Sequence, residues 1–92
     1  ILDPECHDVI INPLCPHKLS SRCVVIPDNR IISVTANCNM RPTLLITDGK
    51  SKIQMQDMDK LQIQKSKKDL KIIMLHEKNF FEIVNQKFQW GL

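Results

Sequence analysis

Between Val9 and Leu75 every apolar run is short, and every gap between runs carries turn chemistry. That spacing constrains the chain more than any other feature, because connections this brief cannot hold the helices that parallel strands need. Successive strands must therefore pair mainly antiparallel. The runs predicted to be strands are Val9-Ile10-Ile11, Cys23 to Ile26, Arg30 to Ala36, Thr43 to Thr47, Lys50 to Met55, Lys60 to Lys65 and Leu70 to Leu75. Asn12-Pro13 and Pro27-Asp28-Asn29 supply stops. Asp48-Gly49 suits the positive φ of a tight hairpin turn joining the fourth run to the fifth. Leu61 and Ile63 alternate with polar neighbours and are expected to face inward, as are Ile32, Val34 and Ala36 against Ile31, Ser33 and Thr35. Leu70 to Leu75 is a fuller apolar run and is expected to be buried on both faces.

The period changes near the C-terminus. Phe80, Val84 and Phe88 are four residues apart, and Phe81 and Ile83 widen the stripe, which predicts a short amphipathic helix over Asn79 to Lys87. Asn79 is placed to cap it, with Glu82 three residues on, and Gly91 is placed to stop it. Phe80, Phe81, Phe88 and Trp90 are expected to dock that helix onto a sheet. The expected fold is thus mainly β: an antiparallel, sandwich-like domain over residues 1–92 with one short C-terminal α-helix.

Composition narrows the function classes. With 92 residues, 42% hydrophobic and 25% charged, the chain reads as one soluble globular domain that is marginal alone. No run of about 18 apolar residues is present to cross a bilayer. The acidic start, with Asp3, Glu5 and Asp8, is unlike a signal peptide. Membrane association is not expected. Lys50, Lys52, Lys60, Lys65, Lys67, Lys68 and Lys71 gather much of the positive charge in one stretch. A free-standing β module binding an anionic partner through them is the alternative function. Nucleic acid is disfavoured, because no aromatic residue is interleaved to stack on bases.

Cys6, Cys15, Cys23 and Cys38 form no C-x-x-C, and they are expected to be reduced and partly buried thiols. Cys6, His7, Cys15, His17 and Cys23 include metal-ligating atom types, but their spacing is not that of a zinc finger or ribbon, so no metal site is assigned. Gly49 and Gly91 are the only glycines, which excludes a glycine-rich phosphate loop. No catalytic constellation is present, and Asp48 is accounted for by its turn.

Longer blocks say more. Asn12-Pro13-Leu14-Cys15-Pro16-His17-Lys18-Leu19-Ser20-Ser21-Arg22, running into Val24-Val25-Ile26-Pro27, resembles the "TPICPHxLSxRPIVLP" signature of NAD kinases. Asp48-Gly49 is similar to the family's "DGQ" hairpin, and Gln56 to Ile63 with Ser66 to its "GDxVxIxxS" segment. Phe80-Phe81 and Lys87 to Gly91 resemble its "F…LRxKLxWG" ending, and Ile1 to Pro4 resembles the residues directly after its "GGPI". Departures are Asn12 for Thr, Cys23 for Pro or Ser, Lys50 for Gln and Phe88 for Leu.

The resemblance implies the C-terminal, β-rich portion of an NAD kinase, an enzyme that phosphorylates the 2′-hydroxyl of NAD with ATP and a divalent metal, usually Mg²⁺. It also implies a homo-oligomer, dimer or tetramer, and a cytoplasmic setting. The family's "GGDGT", "NE" and "GSTAY" segments would precede Ile1, which is not a methionine, so the chain is expected to be a piece that is inactive by itself. No catalytic residue is assigned within it. By resemblance, His17, Ser20 and Arg22 are the candidates to face NAD or a subunit interface. Arg22 is the strongest electrostatically, since a guanidinium can grip a phosphate or carboxylate bidentately.

Overall fold

The structure is a computed structural model and describes residues 1–89 and 91. Among the described residues there are six strands and one helix: β1 (Asp8–Ile11), β2 (Val24–Pro27), β3 (Ile32–Thr35), β4 (Thr43–Thr47), β5 (Ser51–Met55), β6 (Lys60–Ile63) and α1 (Phe80–Phe88). Every strand pairing is antiparallel, giving three two-stranded ladders, β1–β2, β3–β6 and β4–β5. The mainly β class with one short C-terminal helix is therefore the observed one. The chain divides into two compact units, residues 1–28 with 66–92, and residues 29–65.

In the 29–65 unit, β4 and β5 form the hairpin expected from Asp48-Gly49. Asp48 has φ 48° and Gly49 φ 68°, and the Lys50 amide donates to the Thr47 carbonyl at 3.0 Å. Two successive positive φ values match the right-handed twist of the flanking strands. The β3–β6 ladder sets Ile32 opposite Ile63 and Val34 opposite Leu61, so the alternating apolar residues share one face. Ile32 and Leu61 are half-buried there, whereas Val34 and Ile63 are exposed, so only part of the expected inward face is covered.

The link between β3 and β6 is tied most densely. Ala36 N–H donates to the Asp59 carbonyl at 2.8 Å, and Met58 N–H donates back to the Ala36 carbonyl at 2.7 Å. The Asp57 carboxylate accepts from Cys38 N–H at 2.7 Å, and the Asp59 carboxylate accepts from Gln56 N–H at 2.7 Å. Cys38 is buried beside this turn, its thiol donating to the Gln56 carbonyl at 3.7 Å. Loop amides that would otherwise lack partners are thus satisfied from within the unit.

In the other unit, β1 and β2 pair Val9 with Ile26 and Ile11 with Val24. The helix begins as the sequence requires. Asn79 is extended at φ −72°, its side chain accepts from Glu82 N–H at 2.8 Å, and Glu82 accepts from Asn79 N–H at 3.3 Å, a complete capping box. Val84 is the buried centre of its apolar stripe, and Phe80 and Phe81 meet edge to face with centroids 5.5 Å apart.

Two expectations fail in this unit. Leu70 to Leu75 forms no strand, and Leu70, Ile72, Ile73, Met74 and Leu75 are exposed, Ile73 at 89%. The composition suits a strand, but an extended segment without a hydrogen-bonded neighbour has no ladder to join. The helix also does not dock onto the ladder of its own unit, for among the described residues neither β1 nor β2 packs against α1. Its stripe instead borders an apolar groove of about 420 Å³ with Ile1 and Asp3, lined by Phe80, Phe81, Val84 and Phe88. Trp90 lies outside the described residues.

Candidate functional site

The proline-bracketed loop between β1 and β2 holds all three candidate residues. Pro13 and Pro16 fix φ on either side of Leu14-Cys15, and Cys15 itself takes a positive φ of 47°. This keeps the chain out of helix and sheet alike. Every residue from Ile11 to Ser20 is exposed, His17 and Ser20 included, so the loop presents side chains rather than packing them. Leu19 stands 95% exposed at its end.

The return of the loop is held by hydrogen bonds. Ser21 N–H donates to the Lys18 carbonyl at 3.2 Å, closing a turn over Leu19 and Ser20. Arg22 then reaches back, and its Nη1 donates to the Leu19 carbonyl and, at 3.1 Å, to the Ser21 carbonyl. The sequence brings His17, Ser20 and Arg22 into one short loop, but it did not reveal that one guanidinium nitrogen is already engaged. A bidentate grip on an anion must then come from the Nε–Nη2 edge.

The remaining chemistry-bearing residues do not converge. Cys6, Cys15 and Cys23 are free and exposed, and only Cys38 is buried, so three of the four thiols differ from the partly buried state expected. Among the described residues no group of three or more His, Cys, Asp or Glu is gathered to hold a metal ion. His7 Nδ1 lies 3.7 Å from Asp28 Oδ2 at the open end of the β1–β2 ladder, where Asp28 N–H also donates to the His7 carbonyl at 3.0 Å. Asp57 and Asp59, which the sequence marked only by resemblance, serve the turn at Gln56. Among the described residues no helix is long and apolar enough to cross a membrane.

The loop is thus an exposed, arginine-closed segment of an antiparallel β chain. Residues 1–75 match the ATP-NAD kinase C-terminal domain family, and the chain belongs to that family. Over 91 residues it is 34% identical to an NAD kinase of Magnetococcus marinus, covering 99% of this chain and 30% of that relative. It is 32% identical over 92 residues to NAD kinase 2 of Prochlorococcus marinus, again 30% of the relative. An NAD kinase of Ruminiclostridium cellulolyticum is 33% identical over 88 residues, 95% of this chain and 31% of the relative. The chain thus spans about a third of the length of the curated relatives it matches. No solved structure matches it.

Proposed function

We propose that this chain is the C-terminal portion of an NAD kinase and supplies part of the NAD site and a subunit surface. The enzyme would transfer the terminal phosphoryl group of ATP to the 2′-hydroxyl of NAD. The observation that carries this reading is the family match over residues 1–75, joined to NAD kinases aligned along nearly the whole chain.

Phosphoryl transfer rests on positioning and on neutralising charge around the phosphates. This chain has no glycine-rich cradle and, among the described residues, no cluster of carboxylates, so its share is positioning. The loop from Cys15 to Arg22 is the part suited to it. His17 and Ser20 offer exposed hydrogen-bonding groups, and Arg22 keeps a guanidinium edge for the pyrophosphate or for a neighbouring subunit's carboxylate. A divalent metal, Mg²⁺ in the usual case, would accompany ATP. The described residues provide no donor set for it, and no step is derived through it. Homo-oligomeric assembly and a cytoplasmic setting belong to the same reading.

The test is NADP formation from NAD and MgATP by the full-length protein and by the 92-residue chain at equal concentration. Turnover by the full-length protein alone is the expected result. Turnover by the short chain would put the catalytic groups within it, and turnover by neither would remove the kinase assignment and favour an anion-binding module centred on Lys67 and Lys68.

A further inference from the structure

The loop proposed to meet NAD faces a physical problem that its sequence does not advertise. From Asn12 to Ser20 every residue is exposed, so apolar packing cannot hold the loop in one shape. Pro13 and Pro16 restrain only the first half. The second half, His17 to Ser21, carries both proposed ligand-facing groups and contains neither proline nor glycine. Left alone, such a segment would sample many conformations, and ordering it on binding would weaken affinity for the ligand.

The structure assigns the ordering role to Arg22, which we infer to be a positioning residue for the NAD-facing loop. Its Nη1 donates to the carbonyls of Leu19 and Ser21, the first joined directly to the Ser20 nitrogen and the second one residue beyond Ser20. Ser20 is therefore bracketed by two peptide groups held on a single planar cation. The Ser21-to-Lys18 backbone bond closes the same turn from the other direction. Charge-assisted bonds to carbonyl oxygens are stronger than neutral ones, and one rigid fork satisfies both with little loss of side-chain freedom. This inference rests on the reading that the loop meets NAD, and it gives Arg22, beside its open guanidinium edge, the task of setting how Ser20 and His17 are presented.

The experiment uses the full-length protein with Arg22→Ala, the charge-retaining Arg22→Lys, and Ser20→Ala. Amide hydrogen exchange over residues 16–23 is measured without NAD, and KM for NAD and for ATP is measured on each. Arg22→Ala is expected to speed exchange across Leu19 to Arg22 in the absence of ligand, and to raise KM for NAD about tenfold while KM for ATP stays put. Arg22→Lys is expected to show the same changes in smaller degree, its ammonium keeping the charge but lacking the fork. Exchange that is unchanged by both Arg22 variants would overturn the clasp. Faster exchange with an NAD effect for Ser20→Ala but none for Arg22→Ala would overturn the positioning role. Faster exchange with no NAD effect from any variant would instead overturn the placement of NAD on this loop.

Discussion

The turn Gln56–Asp59 and the loop Pro13–Arg22 meet the same demand by different means, since both must satisfy backbone groups outside regular structure. At the turn, two aspartates accept from main-chain amides, Ala36 exchanges backbone bonds with Met58 and Asp59, and Cys38 is buried beside them. At the loop, no residue is buried, and one arginine with a single backbone turn bond does the holding. The first arrangement leaves the carboxylates engaged with backbone amides. The second leaves His17 and Ser20 exposed. The difference separates a segment whose polar residues maintain the fold from one whose polar residues remain available to a ligand.

Removing the Asp57 carboxylate is the strongest way to break that contrast. Asp57→Ala would leave the Cys38 amide without its acceptor next to a buried thiol, at a cost of about 2 kcal/mol. Urea unfolding of the full-length protein, or exchange of the Cys38 amide, reads the loss. An effect close to zero would mean that the turn is held by its backbone bonds alone. Gly49 tests the neighbouring hairpin. Its φ is 68° and nothing lies within 4 Å of an added Cβ, so Gly49→Val meets no steric neighbour and costs about 1–2 kcal/mol purely through backbone strain. The same denaturation series should show it, and Gly49→Asn should be milder.

A smaller effect is expected in the other unit. Asn79→Ala removes the acceptor for Glu82 N–H and half of the capping box, lowering stability by about 1 kcal/mol, with faster exchange confined to the first turn of α1. Exchange that spreads through the β1–β2 ladder would show that the helix and the ladder open together.

These elements were legible because their signals are local. Asp48-Gly49 needs only its own φ preferences to make a turn, and Asn79 with Glu82 needs only a three-residue spacing to make a cap. Strand positions were legible from alternation, although their ends shifted by a residue or more where burial did not fix them, as at Arg30 and Lys65. What failed depended on partners. Leu70 to Leu75 reads as a strand because β-branched and apolar residues favour one, yet strand formation is a property of a pair. The aromatic stripe of α1 likewise named a helix face without naming what it meets. At the loop, residue types pointed to His17, Ser20 and Arg22, but the engagement of Arg22 with nearby carbonyls of its own loop arises from chain reversal, which no spacing rule encodes.

The apolar run gives the smallest expected change and the sharpest discrimination. With Ile73 at 89% exposure, Ile73→Lys removes little buried surface, and stability should stay within about 0.5 kcal/mol when unfolding of the 92-residue chain is followed in urea. The same substitution in the full-length protein need not behave alike. If the run pairs there as its composition suggests, the lysine would disturb a buried strand and cost several times more, about 2–3 kcal/mol. Equal and small effects in both contexts would make Leu70 to Leu75 a solvent-facing segment. A large effect only in the longer protein would show that its strand propensity is genuine and is satisfied by residues outside this chain.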